Sequence, residues 1–240
     1  MKIKNQLLTI ILITFSISLT SCLDLINCID GNNHLTTENR NLPSFSGVIS
    51  RGSFEVRIIQ GTTNEVVVEA ESNLQDYINT RVSGNNLIID TYNNRCLNVN
   101  YPIIITVTTV DLNKVELDGS GIVSCDEVQS PEMDVNLSGS GSIYLNLNVE
   151  DLYASISGSG SINMEGTAIN SKLSISGSGD IHAKDLIQDH CMANISGSGK
   201  MYIYVSESLD ARISGSGTVY YDGSPSITTH ISGSGKVRHI

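Results

Sequence analysis

The chain has 240 residues, 40% of them hydrophobic, with no tryptophan, four prolines and a formal net charge of −11. Its apolar content suffices for one substantial core and does not demand a second domain. The acidic balance excludes a nucleic-acid partner of the usual kind, because such binding relies on cationic side chains neutralising phosphates, and abundant Ser, Gly, Asn, Ile and Val favour an all-β chain.

Residues 1–21 read as a signal segment. Lys2 and Lys4 precede an apolar run from Leu7 to Leu19, shorter than the ~20 residues a spanning helix needs. The run ends in Leu19-Thr20-Ser21-Cys22, which resembles the bacterial lipobox. That resemblance implies export, acylation of Cys22 and a membrane partner reached through the lipid, each buried CH₂ contributing about 0.8 kcal/mol. Leu23, where an Asp would mark retention, implies the outer membrane or the cell surface by similarity to enterobacterial sorting. Without Lys2 and Lys4, 25 acids face 12 bases, a net −13. Residues 22–42 are polar, with Asp30-Gly31-Asn32-Asn33, and are expected to form a flexible tether.

Residues 43–111 carry period-two alternations bounded by turn residues. Phe54-Glu-Val56-Arg-Ile58, Val66-Val-Val68-Glu-Ala70, Leu87-Ile-Ile89 and Ile103-Ile-Ile105-Thr-Val107 predict strands. Turns are predicted at Gly61-Thr62-Thr63-Asn64 and Ser83-Gly84-Asn85-Asn86, and a single helical turn at Leu74 to Ile78. The region is expected to form antiparallel hairpins that cap a stack beginning at Leu112, since an open stack end offers unpaired strand edges.

From residue 112 to 240 one phrase returns: Leu137-Ser-Gly-Ser-Gly141, then Ile156 to Gly160, Ile175 to Gly179, Ile195 to Gly199, Ile213 to Gly217 and Ile231 to Gly235, with an imperfect first copy at Leu117-Asp-Gly-Ser-Gly121. The first glycines lie at 119, 139, 158, 177, 197, 215 and 233, so the period is 18–20 residues. With two apolar alternations per period and no helical spacing, this predicts a β-solenoid of about seven coils. Parity puts Leu137, Gly139, Gly141, Ile143, Leu145 and Leu147 inward and the intervening serines outward. Variation in repeat length falls at polar corners such as Glu150-Asp151, Asp185 to Asp189 and Ser206-Glu207-Ser208.

The reiterated I-S-G-S-G-x-[IV] phrase, Val68-Glu-Ala-Glu-Ser-Asn73 and Tyr221-Asp-Gly-Ser-Pro225 resemble the bacterial family of putative auto-transporter adhesins with a head GIN domain, over roughly Leu42 to Ile240. The resemblance implies a right-handed, single-stranded β-helix in an exported protein or lipoprotein. It implies no catalytic motif.

Aligning coils on the last glycine of each phrase gives outward columns. One reads Ser124, Tyr144, Asn163, His182, Tyr202, Tyr220, Arg238; a second Asn146, Glu165, Lys184, Tyr204, Asp222; a third Ser142, Ser161, Asp180, Lys200, Thr218, Lys236. Tyrosines among amides and mixed charges suit sugar rings and their hydroxyls. The face formed by Tyr144, Asn163, His182, Tyr202, Tyr204 and Tyr220 is therefore the candidate ligand surface, and a polysaccharide or other surface glycan the candidate partner. Tyrosine is also simply a good strand residue, and opposite charges in adjacent coils stabilise a stack. That plainer reading predicts Glu165 beside Lys184 and Asp180 beside Lys200.

A pectinase-like glycan-degrading enzyme would need converging carboxylates, and Asp180, Glu165 and Asp222 are separated by coils or matched to lysines. No catalytic residue, metal ligand or cofactor is assigned. A phosphate loop needs a helix after its glycines, a calcium nonapeptide an Asp in nearly every copy; neither fits. The two serine rows form a hydroxyl lattice but lack the threonine methyls of ice-binding solenoids. Cys125 and Cys191 fall on inward positions and read as buried hydrophobes, whereas the pairing among Cys28, Cys96, Cys125 and Cys191 stays open.

Overall fold

The computed structural model describes residues 28–240. The signal segment and Cys22 lie outside them. The chain is all-β and forms a β-solenoid of about seven turns.

In chain order the strands are β1 (Ile29–Asp30), β2 (Leu35–Arg40), β3 (Gly47–Gly52), β4 (Glu55–Gln60), β5 (Glu65–Glu71), β6 (Ile78–Ser83), β7 (Asn86–Thr91), β8 (Leu97–Asn98), β9 (Ile104–Thr109), β10 (Lys114–Gly119), β11 (Ile122–Gly139), β12 (Ser142–Gly158), β13 (Ser161–Gly177), β14 (Asp180–Gly197), β15 (Lys200–Gly215), β16 (Thr218–Asp222), β17 (Ser226–Gly233) and β18 (Lys236–His239). A 3₁₀ turn at Gln75–Tyr77 sits where a helical turn was expected.

Each of β11 to β15 runs through most of a coil and is broken only at the Gly-Ser-Gly corner. Every coil pairs parallel with the next, so Gly119, Gly139, Gly158, Gly177 and Gly197 lie in one register column that Gly215 and Gly233 continue. The inward set packs as parity predicts: Ile143, Leu145, Leu147, Leu152, Ala154 and Ile156 are all buried, and burying a branched aliphatic side chain contributes about 1.5–3 kcal/mol. Cys125 and Cys191 are buried free thiols in this core, and burial pushes the Cys191 thiol up to about 12.

Three expectations for the N-terminal part are corrected. The stack begins at β3 and β4 rather than at Leu112: β10 pairs parallel with β3, the start of β11 with β4, and Gly52 occupies the glycine column below Gly119. Phe54 takes the place of the second glycine there, and Ser50 the inward place held above by Leu117 and Leu137. The bulky residue has changed sides of the corner, which hides the phrase. Below this coil, β7 and β9 add a further rung in parallel register with β3 and β4, although they follow them in sequence. Antiparallel pairing is confined to the outer layer, where β6 covers β7, β5 covers β9 and β2 covers β5.

Residues 28–42, expected in a flexible tether, belong to the cap instead. All six residues of β2 pair with β5, β1 pairs with β8, and Cys28 is disulfide-bonded to Cys96. Glu71, on the last position of β5, holds this strap from inside. Its carboxylate accepts the Asn33 N–H (2.6 Å), the Asn100 N–H (2.9 Å) and the Asn100 Nδ2–H (3.0 Å). A Cβ at Gly31 would overlap this carboxylate, so a side chain there would displace it.

The Asn100 side-chain donor holds the Glu71 carboxyl below the usual carboxylate range, against the burial that pushes it up. A carboxyl depressed in the folded state contributes stability above its unfolded value of about 4.3, and that contribution disappears as pH falls through the folded value. Glu71→Gln is therefore expected to lower the melting temperature at pH 7, and the gap to wild type is expected to narrow in acid. Melting curves at pH 7 and pH 3 check this; an equal gap at both values would contradict it.

Candidate functional site

The first outward column is continuous. Ser124, Tyr144, Asn163, His182, Tyr202, Tyr220 and Arg238 are register partners from coil to coil. Its upper rings stack face to face: His182 on Tyr202 with centroids 5.1 Å apart and planes 6° apart, Tyr202 on Tyr220 at 4.9 Å and 7°. Such pairs contribute about 0.5–1.5 kcal/mol beyond area burial. The ring faces of Tyr202 are thus occupied by its neighbours. Tyr144 stands apart, 47% exposed, between the smaller Ser124 and Asn163.

The second column does not form as expected. Glu165 pairs with Asp185 rather than Lys184, because β14 carries one extra residue between His182 and Asp185, opposite Asn163 to Glu165 of β13. A larger irregularity follows, where Ala183 pairs with Ile203 but Ile187 with Tyr204, so Lys184 to Leu186 have no register partner in β15. Tyr204 consequently lies between Ile187 and Asp222, away from Lys184. Lys184 Nζ instead reaches Asp222 Oδ2 at 3.9 Å, an exposed pair worth little by itself. The third column holds, with Asp180 beside Lys200 and joined through the Lys200 backbone N–H to Asp180 Oδ1 at 3.1 Å.

Tyr144, Asn163, His182 and Tyr202 line a cleft of about 450 Å³ together with Asn146, Glu165 and Asp185, while Leu145 and Met164 between the two outward columns are buried in the core. Asp126, Lys184 and Asp185 belong to this cleft yet were not read as site residues from sequence. The 20-residue spacing from Gly177 to Gly197 signals extra residues in that coil, but not on which side of Lys184 they fall.

Polar groups in the cleft are largely uncommitted. Asn163 Nδ2 makes one long contact to Ser161 Oγ at 3.5 Å, and no side-chain hydrogen bond joins Tyr144, Asn146, Glu165 or His182 to another described residue. On the neighbouring face, in a groove along Asp151, Asn170, His190 and Ser208, Asn170 donates to Asp151 at 2.9 Å and His190 Nδ1 lies 2.8 Å from Ser208 Oγ. A hydroxyl-lined groove along Ser155, Ser157, Ser174 and Ser176 is lined by no tyrosine, and its one ring is that of His230. Among the described residues no group of His, Cys, Asp and Glu is placed to hold a metal ion.

Residues 44–225 match the family described as putative auto-transporter adhesin, head GIN domain. The chain belongs to that family. This head GIN domain is similar in structure to a putative adhesin from Bacteroides fragilis NCTC 9343, with 23% identity over 88% of this chain and all of that chain and a TM-score of 0.82. It is also similar to a putative lipid binding protein from Parabacteroides distasonis ATCC 8503 (26% identity, 88% and 99% covered, TM-score 0.74) and to a putative adhesin from Parabacteroides merdae ATCC 43184 (22%, 88% and 98%, 0.73). No curated protein matches it. The family places the head GIN domain among surface or exported proteins.

Proposed function

We propose that this head GIN domain is a non-catalytic binding module of an exported lipoprotein, acylated at Cys22 after removal of residues 1–21, which holds a polysaccharide or other surface glycan on its aromatic column. The observation carrying the glycan reading is the cleft itself. It combines a ladder of ring edges and phenol hydroxyls with a neighbouring row of amide and carboxylate acceptors. Sugars need that combination, because C–H faces pack on apolar or aromatic surface while hydroxyls seek uncommitted acceptors. A lipid ligand, which the name of one structural neighbour suggests for that protein, would be poorly served by a cleft rimmed by Glu165, Asp185 and Asn146.

Retention of the purified chain on an array of immobilised polysaccharides tests this. Tyr202→Ala with Tyr220→Ala removes the upper ladder and is expected to weaken retention about tenfold, equivalent to about 1.4 kcal/mol, while circular dichroism keeps its β signature. Absence of retention on every glycan by wild type, or unchanged retention by the double variant, would defeat the reading. Mass spectrometry of the membrane-bound protein tests Cys22, which is expected to carry the acyl mass as the N-terminal residue.

A further inference from the structure

The aromatic column has a missing rung. His182, Tyr202 and Tyr220 stack at 5.1 and 4.9 Å with nearly parallel planes, and Tyr144 continues the same column two coils below His182. Between them stands only Asn163, whose amide leans toward Ser161 Oγ on its own strand. Because neighbouring strands are ~4.8 Å apart, Tyr144 and His182 are separated by ~10 Å along the column. That is twice the spacing of the stacked pairs, so one ring can enter where Asn163 supplies none. Tyr144, Asn163 and His182 all line the same cleft as Asn146 and Glu165.

We propose that this slot is a subsite for a single pyranose ring, inserted edge-on as the absent rung, with one face toward Tyr144 and the other toward His182. A gap of two strand spacings leaves each face about as far from its neighbour as the existing rings are from one another, room for one six-membered ring. A sugar fits better than a flat aromatic group because the rim offers amide and carboxylate oxygens that reward hydroxyl donors. The inference rests on the glycan reading above and narrows it to three residues that would grip one sugar unit. Tyr202 and Tyr220 then act by holding the His182 ring in its plane.

Asn163→Tyr tests it by filling the slot from the protein side. The new ring would continue the stack, so the melting temperature is expected to hold or rise while retention on arrays of β-glucan, chitin, mannan and galactan oligosaccharides falls at least tenfold. Asn163→Ala keeps the slot open and is expected to stay within tenfold of wild type. Tyr144→Ala and His182→Ala, each removing an exposed ring, are expected to lose retention and serve should Asn163→Tyr fail to fold. Wild-type retention by Asn163→Tyr, or by both single-ring variants, would overturn the slot and leave glycan binding standing. No retention by wild type on any array would remove both.

Discussion

Alanine at Gly177 is expected to be among the most damaging single substitutions in the chain, lowering stability by about 3–5 kcal/mol for the addition of one methyl group. Gly177 sits at φ +129, where an L side chain is strained, and a Cβ there would overlap the carbonyl oxygen of Gly158 in the coil below. That oxygen accepts two hydrogen bonds from the coil above, from the Ser178 N–H at 2.9 Å and the Gly179 N–H at 3.0 Å. The methyl would therefore push apart the two backbones it is meant to join, and neither can move without disturbing the next corner. Gly179 is excluded from substitution for a different reason: its backbone is ordinary, but a Cβ would lie 2.7 Å from Ile156 Cγ2 and 2.6 Å from the Gly160 oxygen. Ser176, exposed beside them, is the control, and Ser176→Ala is expected to stay within about 0.5 kcal/mol of wild type. At 2–4 °C per kcal/mol for a chain of this size, Gly177→Ala should melt roughly 10 °C lower. A shift no larger than that of Ser176→Ala would show that glycine stacking does not hold the coils together.

Reduction of Cys28–Cys96 is expected to produce the second large loss. The bond closes a loop of sequence separation 68, and for that length the restriction of unfolded-chain entropy is worth about 4 kcal/mol. The effect should be concentrated in the cap, because the loop contains β1 to β7 and the strap held by Glu71. Denaturant midpoints for wild type with and without reductant measure it. The Cys28→Ser, Cys96→Ser double variant is expected to match reduced wild type and to be indifferent to reductant. A midpoint unchanged by reductant in the oxidised wild type would mean that β2 pairing alone secures the strap.

Both predictions concern features of different legibility. The glycine column could be read from sequence because each coil repeats the same local requirement, and the aromatic column followed from counting off it; Tyr144 to Tyr220 fell where counting placed them. Counting failed beyond the Lys184 bulge, where chain length changes without a change in residue type. Glu165 consequently met Asp185 instead of Lys184, and Tyr204 took Ile187 in place of Lys184 as its neighbour in the preceding coil. The stacking of His182 on Tyr202 and Tyr220, which decides which ring faces remain free, depends on side-chain rotation about a shared register and could not be counted at all.

By itself the sequence determined the solenoid, its period, its inward row and its principal outward column, because a stack of parallel coils turns a spacing along the chain directly into a neighbour in space. Only the tertiary structure decided the cap: that β7 and β9 lie beneath strands that precede them, that residues 28–42 form part of it, and that Cys28 takes Cys96 as its partner. Those pairings join segments tens of residues apart with no repeat between them, and their free energy comes from burial and closure in three dimensions rather than from any local pattern.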